Sequence, residues 1–246
     1  MNKAFINKIC ARFGIEINGL SYMQALRKSA VAPDALLQQK QLLKGKANTI
    51  FDLGANYGSV TIEYKKMFPD ASVYAFEPFP DIFKSLKETM SVMKGVHVFD
   101  QAVAEKTGTR TFYVNENADT NSLFKSQETG MSSDQMARNK SSIEVKTISL
   151  DEFCKEKNIQ FIDILKMDIQ GGELDALKGA ANLLRAKKIG LIYAEAFFIP
   201  QYAQQPLIQD LMVYLDSVGY QLQDIYNPFY GKGSLAWCDA IFLPRK

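Results

Sequence analysis

Four acidic residues stand at or next to the ends of apolar runs that are typical of buried parallel strands. They are Asp52, Glu77, Asp168 and Glu195. Because ligands of α/β proteins bind at the carboxyl ends of parallel strands, we expect these carboxylates to share one rim of the sheet. A carboxylate there can accept hydrogen bonds from hydroxyls, pair with a cation or remove a proton from an acceptor. The alternative is that each is an ordinary surface acid after a strand.

The loop after the first apolar run carries two glycines, Gly54 and Gly58, with Asn56 and Tyr57 between them and Asp52 before them. Glycines allow a ligand to lie against the backbone. The spacing is neither the G-x-G-x-x-G of dinucleotide sites nor the Gly-Lys-Ser/Thr ending of a P-loop. An acid before the loop would repel phosphate and suit a cation. S-adenosylmethionine, which carries an ammonium and a sulfonium but no phosphate, fits this pattern.

The next two strand ends predict where the rest of that cofactor binds. Glu77, followed by Pro78, is placed to accept hydrogen bonds from both ribose hydroxyls. The third strand leads into Asp100, Gln101 and Ala102. We expect this strand tip beside the adenine ring, with Asp100 or Gln101 hydrogen-bonded to the edge of the base.

Alternating apolar runs and amphipathic segments predict one three-layer α/β domain over residues 48–246, with a mostly parallel seven-stranded sheet. The turn Gly231-Lys232-Gly233 predicts an antiparallel hairpin at the C-terminal edge. Residues 1–47 predict an N-terminal helical cap. The cap either covers one edge of the ligand cleft or is a helix pair that never touches the ligand.

An insertion at about residues 109–148 interrupts the alternation of strands and helices. Two apolar runs predict strands at its two ends, and the polar stretch between them, residues 115–142, predicts a long loop. Long loops inside compact domains are usually functional or disordered. We interpret the insertion as a mobile lid over the substrate, with an uninvolved mobile loop as the alternative.

Composition excludes several classes of protein. The chain has 246 residues, of which 47% are hydrophobic and 23% are charged, as in soluble globular proteins. A net charge of +2 does not favour a nucleic-acid partner, and no apolar run is long enough to span a membrane. The three cysteines show no metal or disulfide spacing, and the N-terminus lacks a signal-peptide core. We therefore expect a cytoplasmic protein without nucleic-acid or membrane partners.

Four stretches resemble the FkbM-type S-adenosylmethionine-dependent methyltransferases. The first, at residues 52–61, reads DLGANYGSVT and is similar to the family motif D-[VL]-G-A-N-x-G-x-x-T. The others follow in order: FEP at 76–78, LKMDIQGGE at 165–173 and DAIF at 239–242. The resemblance covers roughly residues 48 to 243. It implies a class I methyltransferase (Rossmann-like) fold and O-methylation of a hydroxyl on a sugar or natural product.

Methyl transfer to a hydroxyl requires removal of the hydroxyl proton. Asp168 is the first candidate for this base, with a second contact to the methionine ammonium. Glu195 is the second candidate, as a base or as an anchor for a sugar hydroxyl. The family often carries Glu where this chain has Gln170, which can only hydrogen-bond. Asp168 and Glu195 together could bind a divalent cation, but with no third ligand nearby in sequence a metal is not expected.

Two other functions remain open at this point. One is N-methylation, or methylation of a protein or tRNA, and the other is a non-catalytic binding module on the same fold. Intact Gly54, Gly58, Glu77 and Asp168 argue against the second. The acceptor is expected to be a small molecule, but its identity depends on irregular loops. The sequence does not specify the oligomeric state, and a homodimer is one option.

Overall fold

The computed structural model of the chain describes residues 34–127 and 138–245. Within these ranges the α-helices are α1 (Ala35–Leu42), α2 (Ser59–Met67), α3 (Pro80–Met90), α4 (Leu150–Glu156), α5 (Glu173–Lys178), α6 (Ala181–Arg185) and α7 (Ile208–Ser217). The strands are β1 (Thr49–Leu53), β2 (Ser72–Phe76), β3 (Val96–Phe99), β4 (Gln101–Val103), β5 (Gly108–Asn115), β6 (Asn139–Ile148), β7 (Ile162–Met167), β8 (Ile189–Phe197), β9 (Tyr220–Gly231) and β10 (Ser234–Pro244). A 3-10 turn spans Ala118–Thr120.

The main sheet has seven strands in the order β3-β2-β1-β7-β8-β10-β9. Its pairs are parallel except those of β10, which runs antiparallel to both β8 and β9. The central strands are mostly apolar because helices cover both faces of the sheet. The predicted fold class is therefore confirmed: a mostly parallel α/β sandwich with a C-terminal antiparallel hairpin. No helix in the two described ranges is long and apolar enough to cross a membrane.

Of the predicted N-terminal cap, the structure describes only the end. Its first helix lies outside the described residues, whereas the second is α1. Asp34 begins this helix, and its Oδ1 accepts the N–H groups of Leu36 and Leu37 at 2.8 and 3.3 Å. Within the buried core, the hydroxyl of Tyr64 on α2 donates to Gln39 Oε1 on α1 at 2.9 Å. The role of the cap over the ligand cleft stays a prediction.

The insertion contributes two strands, β5 and β6, to a second sheet of three strands in the order β4-β6-β5. These two strands were predicted. The third, β4, lies before the insertion and was missed: Gln101 and Ala102 belong to a short strand parallel to β6. Three residues are too short a run to show a period of two, so only the pairing with β6 reveals this strand.

The described part of the polar segment is hydrogen-bonded to the rest of the domain. The N–H groups of Tyr113 and Ser122 donate to each other's carbonyls at 2.7 and 3.1 Å. Asn121 Oδ1 accepts the N–H of Asn115 at 2.8 Å. The hydroxyl of Tyr202, in the loop after β8, lies 3.0 Å from the carbonyl of Thr120. Residues 128–137 lie outside the described residues, and the predicted mobility of the segment stays a prediction.

A buried ion pair joins the two central strands beneath the glycine loop. Lys166 Nζ lies 2.9 Å from Asp52 Oδ1, and the two side chains are 5% and 0% exposed. The ammonium also donates to the carbonyls of Gly54 at 3.0 Å and Leu53 at 3.3 Å. On the other side of Asp52, the hydroxyl of Thr61 on α2 donates to Oδ2 at 2.6 Å. The pair therefore fixes β1, β7 and α2 relative to one another.

We predict that Lys166→Met destabilises the fold by about 3–5 kcal/mol, because it leaves the Asp52 carboxylate buried without its cation. The matched control is Lys66→Ala, which removes the exposed ion pair with Glu63 and should cost no more than about 1 kcal/mol. Equilibrium unfolding in urea measures both. The double variant Asp52→Asn/Lys166→Met should lose less than the sum of its single variants. Equal losses in Lys166→Met and Lys66→Ala would contradict the prediction.

Candidate active site

A cavity of about 490 Å³ opens at the carboxyl ends of β1, β2 and β7, under the three-stranded sheet. Many of the predicted site residues line it: Gly54, Asn56, Tyr57, Glu77, Pro78, Gln101, Ala102 and Asp168. Four do not: Asp52, Gly58, Asp100 and Glu195. The structure thus brings the glycine loop and the ends of β2, β4 and β7 together around one space.

Asp52 was predicted to meet a cationic ligand, but its carboxylate is fully buried and bound by Lys166 and Thr61. Side chains alternate between the two faces of a strand, so Asp52 shares the face of Ile50 and meets Lys166 of the neighbouring strand β7. Asp100 is exposed and also lies outside the cavity lining. Both residues lie at the strand ends where they were expected, but neither lines the cavity.

The two glycines are required by packing of the protein against itself. At Gly54 (φ +71°), an added Cβ would lie 1.9 Å from the carbonyl oxygen of Asp168, so the loop can approach the end of β7 only without a side chain. At Gly58 (φ +89°), a Cβ would lie 2.1 Å from Met90 Cε and 2.9 Å from Leu86 Cδ1 of α3. Gly58 therefore packs against α3, whereas Gly54 also lines the cavity.

Glu77 is held by the backbone at the end of β2. Its Oε2 accepts the N–H of Asn56 at 3.1 Å, and its Oε1 accepts the N–H of Phe79 at 2.9 Å. Burial raises the pKa of Glu77 to about 7, although these two N–H groups and the Lys166 ammonium act in the opposite direction. Each carboxylate oxygen keeps a lone pair for a further donor. The arrangement fits a ligand that presents two adjacent hydroxyls.

Gln170 joins the two candidate catalytic acids. Its Nε2 donates to Asp168 Oδ1 at 3.0 Å and to Glu195 Oε2 at 2.8 Å. Its Oε1 lies 2.7 Å from the hydroxyl of Tyr202, which is fully buried. Because both amide protons face carboxylates, the orientation of the Gln170 amide is defined.

The two acids differ in exposure. Asp168 is exposed and lines the cavity, whereas Glu195 is only partly exposed and does not. The strand that was predicted to end before Glu195 continues to Phe197, so this residue lies inside β8, opposite Asp239 of β10. Burial, and then repulsion by Asp168, Glu173 and Asp239, raises the pKa of Glu195 well above its ordinary value. Burial and the neighbouring acids therefore both oppose ionisation of Glu195.

Several residues of the cavity wall were missed by sequence reasoning. They are Phe112, Ala118, Asp119, Asn121, Leu123, Lys166 and Gln170. The sequence contains an indication for Lys166, since a lysine within an apolar strand is unusual unless it is paired. It contains no such indication for the residues of the insertion, because nothing in a polar loop shows which side chains turn inward.

The polar atoms of the cavity fit S-adenosylmethionine. Glu77 offers acceptors for ribose hydroxyls, and Asn56 Oδ1 and Asn121 Nδ2 are buried without a hydrogen-bond partner among the described residues. Within residues 34–127 and 138–245, no group of three or more His, Cys, Asp or Glu residues is placed to hold a metal ion.

Curated relatives share low but extended similarity with this chain. The 2-O-methyltransferase NoeI of Sinorhizobium fredii is 27% identical over 180 residues, which are 71% of this chain and 73% of that protein. The hexuronic acid methyltransferase AglP of Haloferax volcanii is 26% identical, over 63% of this chain and 59% of that protein. The 31-O-demethyl-FK506 methyltransferase FkbM of Streptomyces tacrolimicus is 26% identical, over 55% and 60%. The chain thus spans under two thirds of the last two.

The model of the methyltransferase FkbM domain matches residues 52–222, which run from the glycine loop to β9. This match covers more than half of the chain and includes the strand ends that surround the cavity. Three of the four sequence motifs lie within the matched residues, and the family resemblance is confirmed. The chain belongs to the FkbM family of S-adenosylmethionine-dependent methyltransferases.

Proposed function

We propose that this enzyme O-methylates a hydroxyl of a small molecule, a sugar or a natural product, with Asp168 as the general base. The observation that carries the proposal is the exposed Asp168 carboxylate, which lines the cavity at the end of β7. The names of the three relatives support this class of acceptor, since two specify methylation at oxygen and one specifies a hexuronic acid.

Residues of the cavity would hold the cofactor by several contacts. Glu77 accepts from the ribose hydroxyls, Pro78 flanks it, and Gln101 with Ala102 borders the adenine. Gly54 and Tyr57 form the loop wall below the rest of the molecule. The cofactor supplies a methyl group that its cationic sulfur already activates, so positioning of the acceptor provides much of the catalysis.

Asp168 takes the acceptor proton as the new bond to oxygen forms. The carboxylate is exposed, and Gln170 fixes one of its oxygens by a hydrogen bond, which leaves the second available to the hydroxyl. Glu195 serves as an anchor, which Gln170 holds in place by a hydrogen bond. This division of roles follows from the positions of the two acids, because Asp168 is exposed and lines the cavity, whereas Glu195 lies within β8 and does not line it.

The activity test starts from an unknown acceptor. The enzyme is incubated with methyl-labelled S-adenosylmethionine and fractionated small molecules, and the labelled product is identified by mass spectrometry and nuclear magnetic resonance. Label on a hydroxyl oxygen of a sugar or natural product is the expected result. Label that enters only protein, RNA or an amine would overturn the proposed acceptor.

We predict that Asp168→Asn lowers turnover at saturating cofactor by about a hundredfold or more, since Asn keeps the shape but cannot accept the proton. The matched variant is Glu195→Gln, which keeps a donor and an acceptor and should lower turnover much less. Initial rates with the identified acceptor measure both, and thermal unfolding checks that each variant is folded. A larger loss of turnover in Glu195→Gln would indicate that Glu195 of β8, and not Asp168, is the base.

We also predict that cofactor affinity depends on the ionisation of Glu77. With a pKa of about 7, the free carboxylate becomes protonated as the pH falls through neutrality. Two ribose hydroxyls bind the ionised form better, so affinity should be highest above pH about 7 and decline below it. Calorimetry with S-adenosylhomocysteine measures this profile. Glu77→Gln should bind roughly tenfold to a hundredfold more weakly and show no step near neutrality. A step that persists in this variant would assign it to another group.

A further inference from the structure

The hydroxyl of Tyr202 lies where three segments of the chain meet. It is 2.7 Å from Gln170 Oε1, in the loop after β7, and 3.0 Å from the carbonyl oxygen of Thr120, in the insertion. A backbone hydrogen bond also fastens the loop of Tyr202 to the insertion, since the N–H of Ala203 donates to the carbonyl of Lys125 at 2.7 Å. Tyr202 is fully buried, so the fold holds its hydroxyl in place without any ligand.

The Tyr202 hydroxyl is a hydrogen-bond donor in this position. Burial, and then the nearby acids, Glu195 first, raises the pKa of Tyr202 well above its ordinary value, so the hydroxyl keeps its proton. Both oxygens that it contacts are acceptors, and a hydroxyl has one proton to donate. The shorter contact is the one to Gln170. We therefore take the Gln170 amide oxygen as the main acceptor of this proton.

The Gln170 amide connects this hydroxyl to the candidate base. While Oε1 accepts from Tyr202, Nε2 donates to Asp168 Oδ1 at 3.0 Å and to Glu195 Oε2 at 2.8 Å. Donation to the oxygen of an amide polarises its N–H groups and strengthens the bonds that they donate. The buried hydroxyl thus supports the position of the Asp168 carboxylate through one intermediate side chain.

The backbone of Gln170 is held separately from its amide. Its φ is +55°, in the left-handed region, and the hydroxyl of Ser122 donates to its carbonyl at 2.7 Å. Loss of the Tyr202 hydroxyl leaves these constraints in place and releases only the end of the side chain. Because Gln170 lines the cavity, the released amide is then free to turn away from Asp168.

We propose that Tyr202 is a positioning residue for methyl transfer, which orients the Asp168 carboxylate through the Gln170 amide. This inference rests on the proposed role of Asp168 as the general base. It assigns to the loop after β8 an effect on turnover, and not on the binding of the acceptor or of the cofactor.

The first test is kinetic. Tyr202→Phe removes only the hydroxyl and keeps the ring, which packs edge-on against Phe197. We expect turnover to fall about threefold to tenfold, the effect of one net hydrogen bond. The KM of the identified acceptor and the affinity for S-adenosylhomocysteine should stay nearly unchanged. The matched control is Tyr220→Phe, which removes another fully buried hydroxyl, 2.8 Å from the carbonyl of Ile189. The control should lower thermal stability but not turnover.

Double variants show through which residues the hydroxyl acts. In the background of Asp168→Asn, which has no base to position, Tyr202→Phe should cause no further loss of turnover. Gln170→Met keeps the length of the side chain and breaks the same link from its other end. It should lose at least as much turnover as Tyr202→Phe, and the two changes together should lose no more than Gln170→Met alone. Because Gln170 is only partly buried, this variant also tests the proposal if Tyr202→Phe does not fold.

Nuclear magnetic resonance tests the link without an acceptor. The amide protons of Gln170 are identified as the pair of side-chain signals that is missing in Gln170→Met. We expect Tyr202→Phe to shift this pair and to speed its exchange with water, and Tyr220→Phe to leave it unchanged. An unchanged pair in folded Tyr202→Phe would overturn the proposal.

The outcomes separate two failures. If Asp168→Asn keeps its turnover, the proposed base is wrong, and the positioning role of Tyr202 fails with it. If Asp168→Asn loses turnover but Tyr202→Phe has no effect, raises only KM, or loses the same factor in both backgrounds, the base stands and the positioning role is wrong. A loss of turnover in Tyr220→Phe as large as that in Tyr202→Phe would also overturn the positioning role.

Discussion

The buried contact between Lys166 and Asp52 is the interaction on which the geometry of the site depends. A lysine inside the central strand of a parallel sheet is costly to bury unless an anion and hydrogen-bond acceptors surround it. Here Asp52 supplies the anion, and the carbonyls of Leu53 and Gly54 supply the acceptors. One ammonium thereby fixes the path of the glycine loop. Burial lowers the pKa of Lys166, but Asp52, Asp168 and Glu195 together raise it above its ordinary value.

The Lys166 ammonium lies near several acidic side chains. Burial raises the pKa of Glu77 to about 7 and that of Glu173 to about 8, and it also raises the pKa values of Glu195 and Asp239. Gln170 is a neutral bridge between Glu195 and Asp168. A glutamate at this position, as the family often has, would bring a third carboxylate against Asp168 and Glu195. The amide lets the two acids remain close without a further negative charge.

The contacts of the insertion show where it lies relative to the cavity, which its sequence does not indicate. As a sequence it is a polar interruption, and a lid over the substrate was the natural interpretation. In the structure its strand β5 and its 3-10 turn form a wall of the cavity, and Asp119 reaches across to Asn56. The glycine loop and the insertion therefore position each other.

The sequence by itself determined the order of strands and helices, the class of fold, the family and most of the predicted cavity residues. These follow from local signals: apolar runs, glycine spacing and a carboxylate after each strand. The tertiary structure decided the direction of each side chain. It turned Asp52 under the loop to Lys166, placed Glu195 within β8, and brought Asp119 and Asn121 to the cofactor loop. Each of these outcomes rests on a contact between residues distant in the chain, and the pattern of neighbouring residues contains no record of such a contact.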